Sequence, residues 1–297
     1  MPHLSQRQNL TPWLQLLRLP NLFTVPGDVV AGYCLVGLST NSAWSVRLLL
    51  LVAASLCIYA AGLILNDYFD LDLDRTQRPE RPLPSGRIAP RTALVAGLLL
   101  LAAGPALASL AGPHSFLAAL GLAALVLLYD VRAKRSTRLG PTTMGLCRAA
   151  NLMLGASVAY GRLGAPLLVA AFVEGGYVLL LTTAAARENE PQLSRPRALA
   201  PVAFLALGLG TFLLCADPTL PALAGAVAAL LYPVYAVLRL QAGTRQNIPK
   251  YIGRLVRSLI PLQTAFILAA PALRPPAAPI ILLLPLSILA AHKYSGS

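Results

Sequence analysis

Long apolar runs with almost no charge decide what this chain can fold into. The stretch from 47 to 66, for example, holds one basic residue and no acid. A helix of about 20 such residues crosses the hydrocarbon core of a bilayer, and runs of this kind recur along the chain. Only 12% of the residues are charged, which is about half the share that is usual in soluble domains. The sequence therefore predicts an all-α integral membrane protein, and it excludes a soluble enzyme, a disordered chain and a disulfide scaffold.

The apolar runs predict nine membrane spans in a single transmembrane domain that covers residues 1–297. The spans lie near 22–38, 47–66, 92–111, 115–130, 143–160, 165–186, 198–216, 220–239 and 254–272. A shorter apolar stretch at 278–291 is a possible tenth span. The first 20 residues lack the continuous apolar segment of a cleavable signal peptide, so we expect the first span to anchor the mature protein.

Basic residues concentrate in alternate loops. Lys and Arg together number 24, against 11 Asp and Glu. Most of the Lys and Arg residues outside the N-terminal tail lie in four loops, at 67–91, 131–142, 187–197 and 239–257. By the positive-inside rule, these loops and the N-terminus face the cytoplasm, which places the chain in the inner (plasma) membrane. Because topology explains the basic excess, we expect membrane lipids and no nucleic acid as partners.

The densest polar chemistry lies at the end of the second predicted span, in Asn66-Asp67-Tyr68-Phe69-Asp70-Leu71-Asp72-Leu73-Asp74. At about 100° per residue, Asp67, Asp70 and Asp74 share about a 60° arc of a helix, whereas Asp72 points elsewhere. Three carboxylates on one face repel one another unless a cation lies between them. Mg²⁺ suits such a site, because it takes a few carboxylates and leaves its other positions to water and phosphate.

An arginine-rich loop follows this cluster, in Arg78-Pro79-Glu80-Arg81-Pro82-Leu83-Pro84-Ser85-Gly86. The prolines stiffen the backbone, and the guanidinium groups suit bidentate contacts with phosphate. Carboxylates that hold Mg²⁺ beside arginines at a membrane surface are what a lipid diphosphate requires. A solvated helix end, in which acids pair with arginines, is the simpler interpretation, but it does not need three acids on one face.

The pattern Asn66-Asp67-x-x-Asp70-x-x-x-Asp74, with Arg-Pro-Leu-Pro-Ser-Gly at 81–86, resembles the first Asp-rich motif of the UbiA superfamily. The opening Leu17-Arg18-Leu19-Pro20-Asn21 is also similar to the N-terminus of these proteins. The resemblance implies a bundle of about nine helices with a cytoplasmic polar cap. It implies an intramembrane prenyltransferase, which moves an isoprenyl group from its diphosphate to an acceptor whose identity the sequence leaves open. It also implies that Asn66, Asp67, Asp70 and Asp74 bind Mg²⁺ and diphosphate, and that the three aspartates are catalytic.

A second basic segment, Tyr129-Asp130-Val131-Arg132-Ala133-Lys134-Arg135, follows the fourth predicted span. Many family members have a Tyr and a Lys three residues apart here, in contact with the donor diphosphate. In this chain Ala133 takes the place of that Lys, and Lys134 follows one residue later. Lys134 or Arg132 can substitute because both are long and cationic, although a positive-inside anchor explains their charges equally well. With Arg78 and Arg81, we expect Lys134 to bind the diphosphate.

The segment after the sixth predicted span departs from the family, which has a second Asp-rich motif there. This chain has Arg187-Glu188-Asn189-Glu190 and no Asp. We expect Glu188 to hold a metal, or Arg187 to bind the phosphate in place of a second cation. Loss of the second site is the third alternative, and it would leave a non-catalytic protein that binds or translocates a lipid diphosphate. The Arg-Glu pair, with Arg148 and Asn151, resembles a divergent UbiA-like subgroup called EboC.

Three ionisable residues, Asp28, Arg148 and Glu174, lie deep in predicted spans, where charges are costly and usually face a cavity or a partner. Arg148 and Asn151 share one helical face, so they can line the acceptor end of a cavity. An ion pair between Arg148 and Glu174 is the structural alternative. No residue in the sequence stands out as a general base.

Overall fold

The computed structural model describes residues 10–36, 45–159, 163–187, 192–216, 219–241, 247–270 and 276–294. Throughout these ranges the regular secondary structure is helical, which confirms the predicted fold class. The α-helices are α1 (Thr11–Leu16), α2 (Leu19–Leu22), α3 (Pro26–Leu35), α4 (Val46–Phe69), α5 (Leu71–Gln77), α6 (Pro90–Ala111), α7 (Pro113–Val131), α8 (Leu139–Ala156), α9 (Ala165–Ala185), α10 (Arg195–Cys215), α11 (Leu220–Gln241), α12 (Ile248–Arg257), α13 (Leu259–Ala269) and α14 (Ala277–Tyr294). A 3₁₀ turn, Ala133–Arg135, joins α7 to α8.

Seven stretches within the described ranges are long and apolar enough to cross a membrane. They are α4, α6, α7, α9, α10, α11 and the consecutive pair α12–α13. The chain is therefore a multi-pass membrane protein, and the predicted count of nine spans is approximate.

Two predicted spans differ from the structure for different physical reasons. The span at 22–38 contains the 10-residue helix α3, which is about 15 Å long and too short to cross the hydrocarbon core. The span at 143–160 falls on α8, which has 18 residues, but Arg148 and Asn151 make it less apolar than the seven spanning stretches. The stretch at 278–291 lies in α14, which packs against α13 and α2.

Close contact between α3 and α8 shapes the interior, and two glycines permit it. A Cβ on Gly155 would lie 1.9 Å from the carbonyl oxygen of Val29, and a Cβ on Gly32 would lie 1.9 Å from that of Leu152. Small residues let membrane helices approach this closely. The contact brings the polar side chains of the two helices together inside the bundle.

The loop after α5 is held down by its own apolar residues. Leu83 and Ile88 are buried in a small cluster with Leu16 of α1 and Ile64 of α4. Gly86 turns the loop with a φ of 74°, a left-handed conformation that glycine adopts without steric strain. This anchor holds Arg81 beside the C-terminal end of α4.

Candidate active site

The acidic segment is not one continuous helix. Helix α4 ends at Phe69, and Asp70 caps it before α5 begins at Leu71. Helical spacing continues across the break, because the Asp70 N–H donates to the Asn66 carbonyl at 3.1 Å and the Asp74 N–H donates to the Asp70 carbonyl at 2.8 Å. Helix α4 therefore gives way to α5 at Asp70, while the helical hydrogen bonds continue through the acidic segment.

Arginines hold the two buried aspartates of this segment. Arg81 donates to the Asp74 carboxylate at 2.8 Å and lies 3.7 Å from the Asp67 carboxylate. Arg18 donates to Asp67 at 2.9 Å. Burial of Asp67 and Asp74 at 5% and 4% exposure is tolerable because each carboxylate has a cationic partner.

Lys134 contacts the two remaining residues of the predicted site, Asn66 and Asp70. Its ammonium lies 2.7 Å from the Asp70 carboxylate and 3.2 Å from both the carbonyl and the side-chain oxygen of Asn66. The 3₁₀ turn that buries Ala133 directs Lys134 to this position, while Arg132 is exposed. Asp72, which the sequence predicts to point elsewhere, is exposed and pairs with Arg75 at 2.8 Å.

The oxygens of this segment form pairs around protein cations: Asn66 with Asp70 at Lys134, and Asp67 with Asp74 at Arg81. Across the described ranges, no three acid, cysteine or histidine side chains lie close enough to enclose a metal ion on their own. Mg²⁺ bound with a phosphate takes only one or two carboxylates and completes its shell with water and phosphate oxygens. The donor set thus fits a Mg²⁺ ion that arrives with a diphosphate.

The other predicted diphosphate ligands lie at two further positions. Arg78 follows α5 and is half-buried, and Arg187 follows α9 and is also half-buried. Glu188 lies outside the described residues, as do Asn189 and Glu190. A metal at Glu188 therefore stays a prediction.

A cavity of about 290 Å³ extends from this segment into the bundle. Asn66 and Ser55 both line it from α4; the two residues are 11 positions apart, which corresponds to about 16 Å of helix. Most of its wall is apolar, with side chains such as Ile58 and Val126. Arg148 and Asn151 line it from α8.

A buried polar network surrounds Asp28 beside the cavity. Arg148 donates to the Asp28 carboxylate and to the Thr24 hydroxyl, both at 2.8 Å. Asn151 donates to Asp28 at 2.7 Å and accepts from the Ser55 hydroxyl at 2.6 Å. The α3–α8 contact thus gives Arg148 a carboxylate partner that sequence spacing alone could not identify.

Gln263 of α13 connects this network to Glu174 of α9. Its amide donates to both Asp28 and Glu174, the latter at 3.1 Å. The alternative prediction of an ion pair between Arg148 and Glu174 is wrong, because Asp28 takes the guanidinium and Glu174 accepts from Gln263 instead.

Two residues at the cavity were not among the predicted site residues. Arg18 lines the cavity and adopts an uncommon left-handed conformation, with a φ of 44°. Its signal was present in the opening segment 17–21, which resembles the family. Asp130 also lines the cavity and is buried; its signal was an acid at the very end of an apolar run.

The chain is similar to known proteins in sequence and in fold. Residues 29–190 match the UbiA prenyltransferase family. Over 146 residues the chain is 34% identical to the digeranylgeranylglyceryl phosphate synthase of Ignicoccus hospitalis, a match that covers 49% of this chain and 46% of that one. Over 105 residues it is 40% identical to the protein of the same name from Pyrococcus abyssi, which covers 35% and 38% of the two chains. The matches thus span less than half the length of these relatives.

The fold itself is similar along almost the whole chain to a solved structure. A UbiA homologue from Archaeoglobus fulgidus, bound to DMAPP and Mg²⁺, superposes with a TM-score of 0.64 at 16% identity, over 96% of this chain and 99% of that one. At this identity the likeness concerns the fold. Since the family match at 29–190 takes in more than half of the 297 residues, the chain belongs to the UbiA prenyltransferase family.

Proposed function

We propose that this protein is an intramembrane prenyltransferase that moves an isoprenyl group from an isoprenyl diphosphate to a hydrophobic acceptor. One observation carries the proposal. Asn66 shares the Lys134 ammonium with Asp70 and also lines the 290 Å³ cavity. A polar end that suits a diphosphate therefore opens directly onto an apolar chamber that suits its isoprenyl tail.

The polar end would bind the donor by its head. Asn66, Asp67, Asp70 and Asp74 would hold Mg²⁺, which when bound neutralises charge on a leaving diphosphate. Cations would contact phosphate oxygens directly, since guanidinium and ammonium groups bind phosphate well. Arg81 and Lys134 contact the acidic segment, and Arg78 and Arg187 would join them on the diphosphate. Fixed positive charge at this place stabilises the diphosphate as its bond to the allylic carbon breaks.

The apolar wall would protect the allylic carbon. Ile58, Leu63 and Val126 form an apolar part of the wall beside a tail that passes them, and an apolar wall limits the entry of water that would compete with the acceptor. Arg148 and Asn151, further along the cavity, would orient the acceptor.

The names and ligands of similar proteins support an isoprenyl diphosphate as the donor. Two are named digeranylgeranylglyceryl phosphate synthase, and the A. fulgidus homologue was solved with DMAPP and Mg²⁺. The basic loops favour a plasma membrane location with the acidic segment on the cytoplasmic side.

A second candidate function is binding or translocation of a lipid diphosphate without catalysis. The observation that favours it is the segment Arg187-Glu188-Asn189-Glu190, which contains no Asp.

Purified protein in nanodiscs, incubated with radiolabelled geranylgeranyl diphosphate, Mg²⁺ and a membrane-lipid extract, separates the two functions. A labelled lipid product that requires both Mg²⁺ and the extract supports the transferase. Tight donor binding with no product supports the second function, and absence of donor binding contradicts both. Farnesyl diphosphate in a parallel reaction reports on the preferred chain length.

A further inference from the structure

Asp130 is a buried carboxylate on the cavity wall that no ion pair explains. It lies in the last turn of α7 and is 2% exposed. Its Oδ2 atom is buried and receives no hydrogen bond from any described residue. Among the described residues that line the cavity, it is the only Asp or Glu.

The nearby cations are occupied by other partners. Lys134, four residues later in the chain, contacts Asp70 and Asn66. Arg18, which also lines the cavity, donates to Asp67. A buried carboxylate without a partner destabilises a fold. Stability therefore does not explain an acid at this position, whereas a function in the cavity does.

The position of Asp130 along the cavity is also informative. A Cβ on Gly62 of α4 would lie 3.9 Å from the Asp130 Oδ2 atom. Gly62 precedes Asn66 by four residues, which is one helical turn, or about 6 Å. The carboxylate therefore lies about one turn deeper than the polar end, toward the network around Asp28. In the proposed orientation of the donor, this is where the first carbons of the isoprenyl group follow the diphosphate.

We propose that Asp130 is the proton acceptor of the transfer; this inference rests on the proposed function. The atom of the acceptor substrate that attacks carries a hydrogen and forms a new bond to the allylic C1 atom of the donor. The bond between C1 and the diphosphate oxygen breaks, and its electron pair leaves with the diphosphate. The proton of the attacking atom passes to the Asp130 carboxylate, and the electron pair that held the proton stays on the product.

The first test compares Asp130→Asn with the wild-type protein and with Asp72→Asn, in the labelled transfer reaction with the membrane-lipid extract. Asp72→Asn makes the same chemical change at an exposed acid outside the cavity. Positioned general bases contribute about 100- to 10,000-fold to rate. We expect Asp130→Asn to lower the transfer rate by about that factor, and Asp72→Asn to leave it unchanged. Binding of an unreactive geranylgeranyl thiodiphosphate with Mg²⁺ should be unaffected in both, which also shows that the variants are folded.

A second variant separates proton transfer from a merely structural role. Asp130→Ala removes the carboxylate and leaves space, so added formate should restore part of the transfer rate there and not in Asp130→Asn. Three results would overturn the inference: wild-type turnover in Asp130→Asn, loss of thiodiphosphate binding in parallel with turnover, or failure of formate to restore Asp130→Ala. If the wild-type protein itself makes no product, the proposed function fails and this inference fails with it; turnover by the wild-type and Asp130→Asn alike removes this inference alone.

Discussion

Replacing Asp28 with Asn should strongly destabilise the protein, because the change leaves the Arg148 guanidinium buried without a counter-charge. Asp28 is fully buried, and Arg148 is 6% exposed. The Asp28 carboxylate accepts hydrogen bonds from Arg148, Asn151 and Gln263. An Asn at this position replaces one carboxylate oxygen with an NH₂ group, which would face the donating N–H groups of these neighbours.

The size of the effect follows from the burial. Removing one partner of a buried ion pair typically costs about 3–5 kcal/mol of unfolding free energy, and we expect Asp28→Asn to fall in that range. Arg148→Met should cost a similar amount, since it leaves the Asp28 carboxylate buried without its cation. The double variant removes both charges, so its cost should be smaller than the sum of the single costs by about 2–3 kcal/mol.

The measurement is a double-mutant cycle of reversible unfolding in mixed detergent micelles, titrated with sodium dodecyl sulfate and followed by circular dichroism. Asp72→Asn, Arg75→Met and their combination form the matched control, because that pair has the same 2.8 Å separation but lies in solvent. Exposed pairs contribute little, so this cycle should show almost no coupling. Additive costs for Asp28→Asn and Arg148→Met would refute the reasoning, since they would mean that the two charges stabilise the fold independently.

Three further predictions concern the site. Asp70→Ala should weaken Mg²⁺-dependent binding of geranylgeranyl thiodiphosphate at least tenfold, or about 1.4 kcal/mol, in calorimetric titration; unchanged affinity would exclude Asp70 from the site. Arg187→Ala should weaken the same binding clearly and Glu188→Ala less than Asp70→Ala, whereas complete loss in Glu188→Ala with no effect of Arg187→Ala would indicate an intact second metal site. In a background without native cysteines, Ser85→Cys should react only with reagent on the cytoplasmic side and His114→Cys only with reagent on the opposite side; the reverse result would invert the topology.

The acidic segment was predictable because its residues are neighbours in sequence. Asn66, Asp67, Asp70 and Asp74 fall within nine positions, and local helical geometry keeps such residues together whatever the rest of the chain does. The break at Asp70 was not predictable, since a cap and a continuing helix differ by a few backbone angles. The placement of Lys134 depended on the 3₁₀ turn after α7, which helical spacing does not describe.

For the membrane spans too, features that depend on one sequence segment were predictable, and features that depend on packing between helices were not. Continuous apolar runs such as 92–111 and 165–186 correspond closely to α6 and α9, because length and hydropathy alone determine whether a helix can cross a bilayer. The polar helix α8 broke this correspondence. Helix α8 tolerates Arg148 and Asn151 because neighbouring helices enclose it. The hydropathy of a single segment does not predict which helices pack around it.

The partners of deeply placed polar residues depend on where helices cross, and those crossings are decided by small residues. An ion pair of Arg148 with Glu174 was the alternative that the sequence predicted, and nothing local in the sequence pointed to Asp28 instead. The pairing with Asp28 comes from Gly32 and Gly155, which let α3 approach α8 until backbone atoms meet, so that Asp28 reaches the guanidinium first. Glu174 is left to Gln263. The same reasoning applies to Asp130, whose Oδ2 atom would lie 3.9 Å from a Cβ on Gly62 and receives no hydrogen bond from any described residue. In a membrane interior, where water cannot satisfy an unpaired group, such spacing decides which acids become structural partners and which stay available for chemistry.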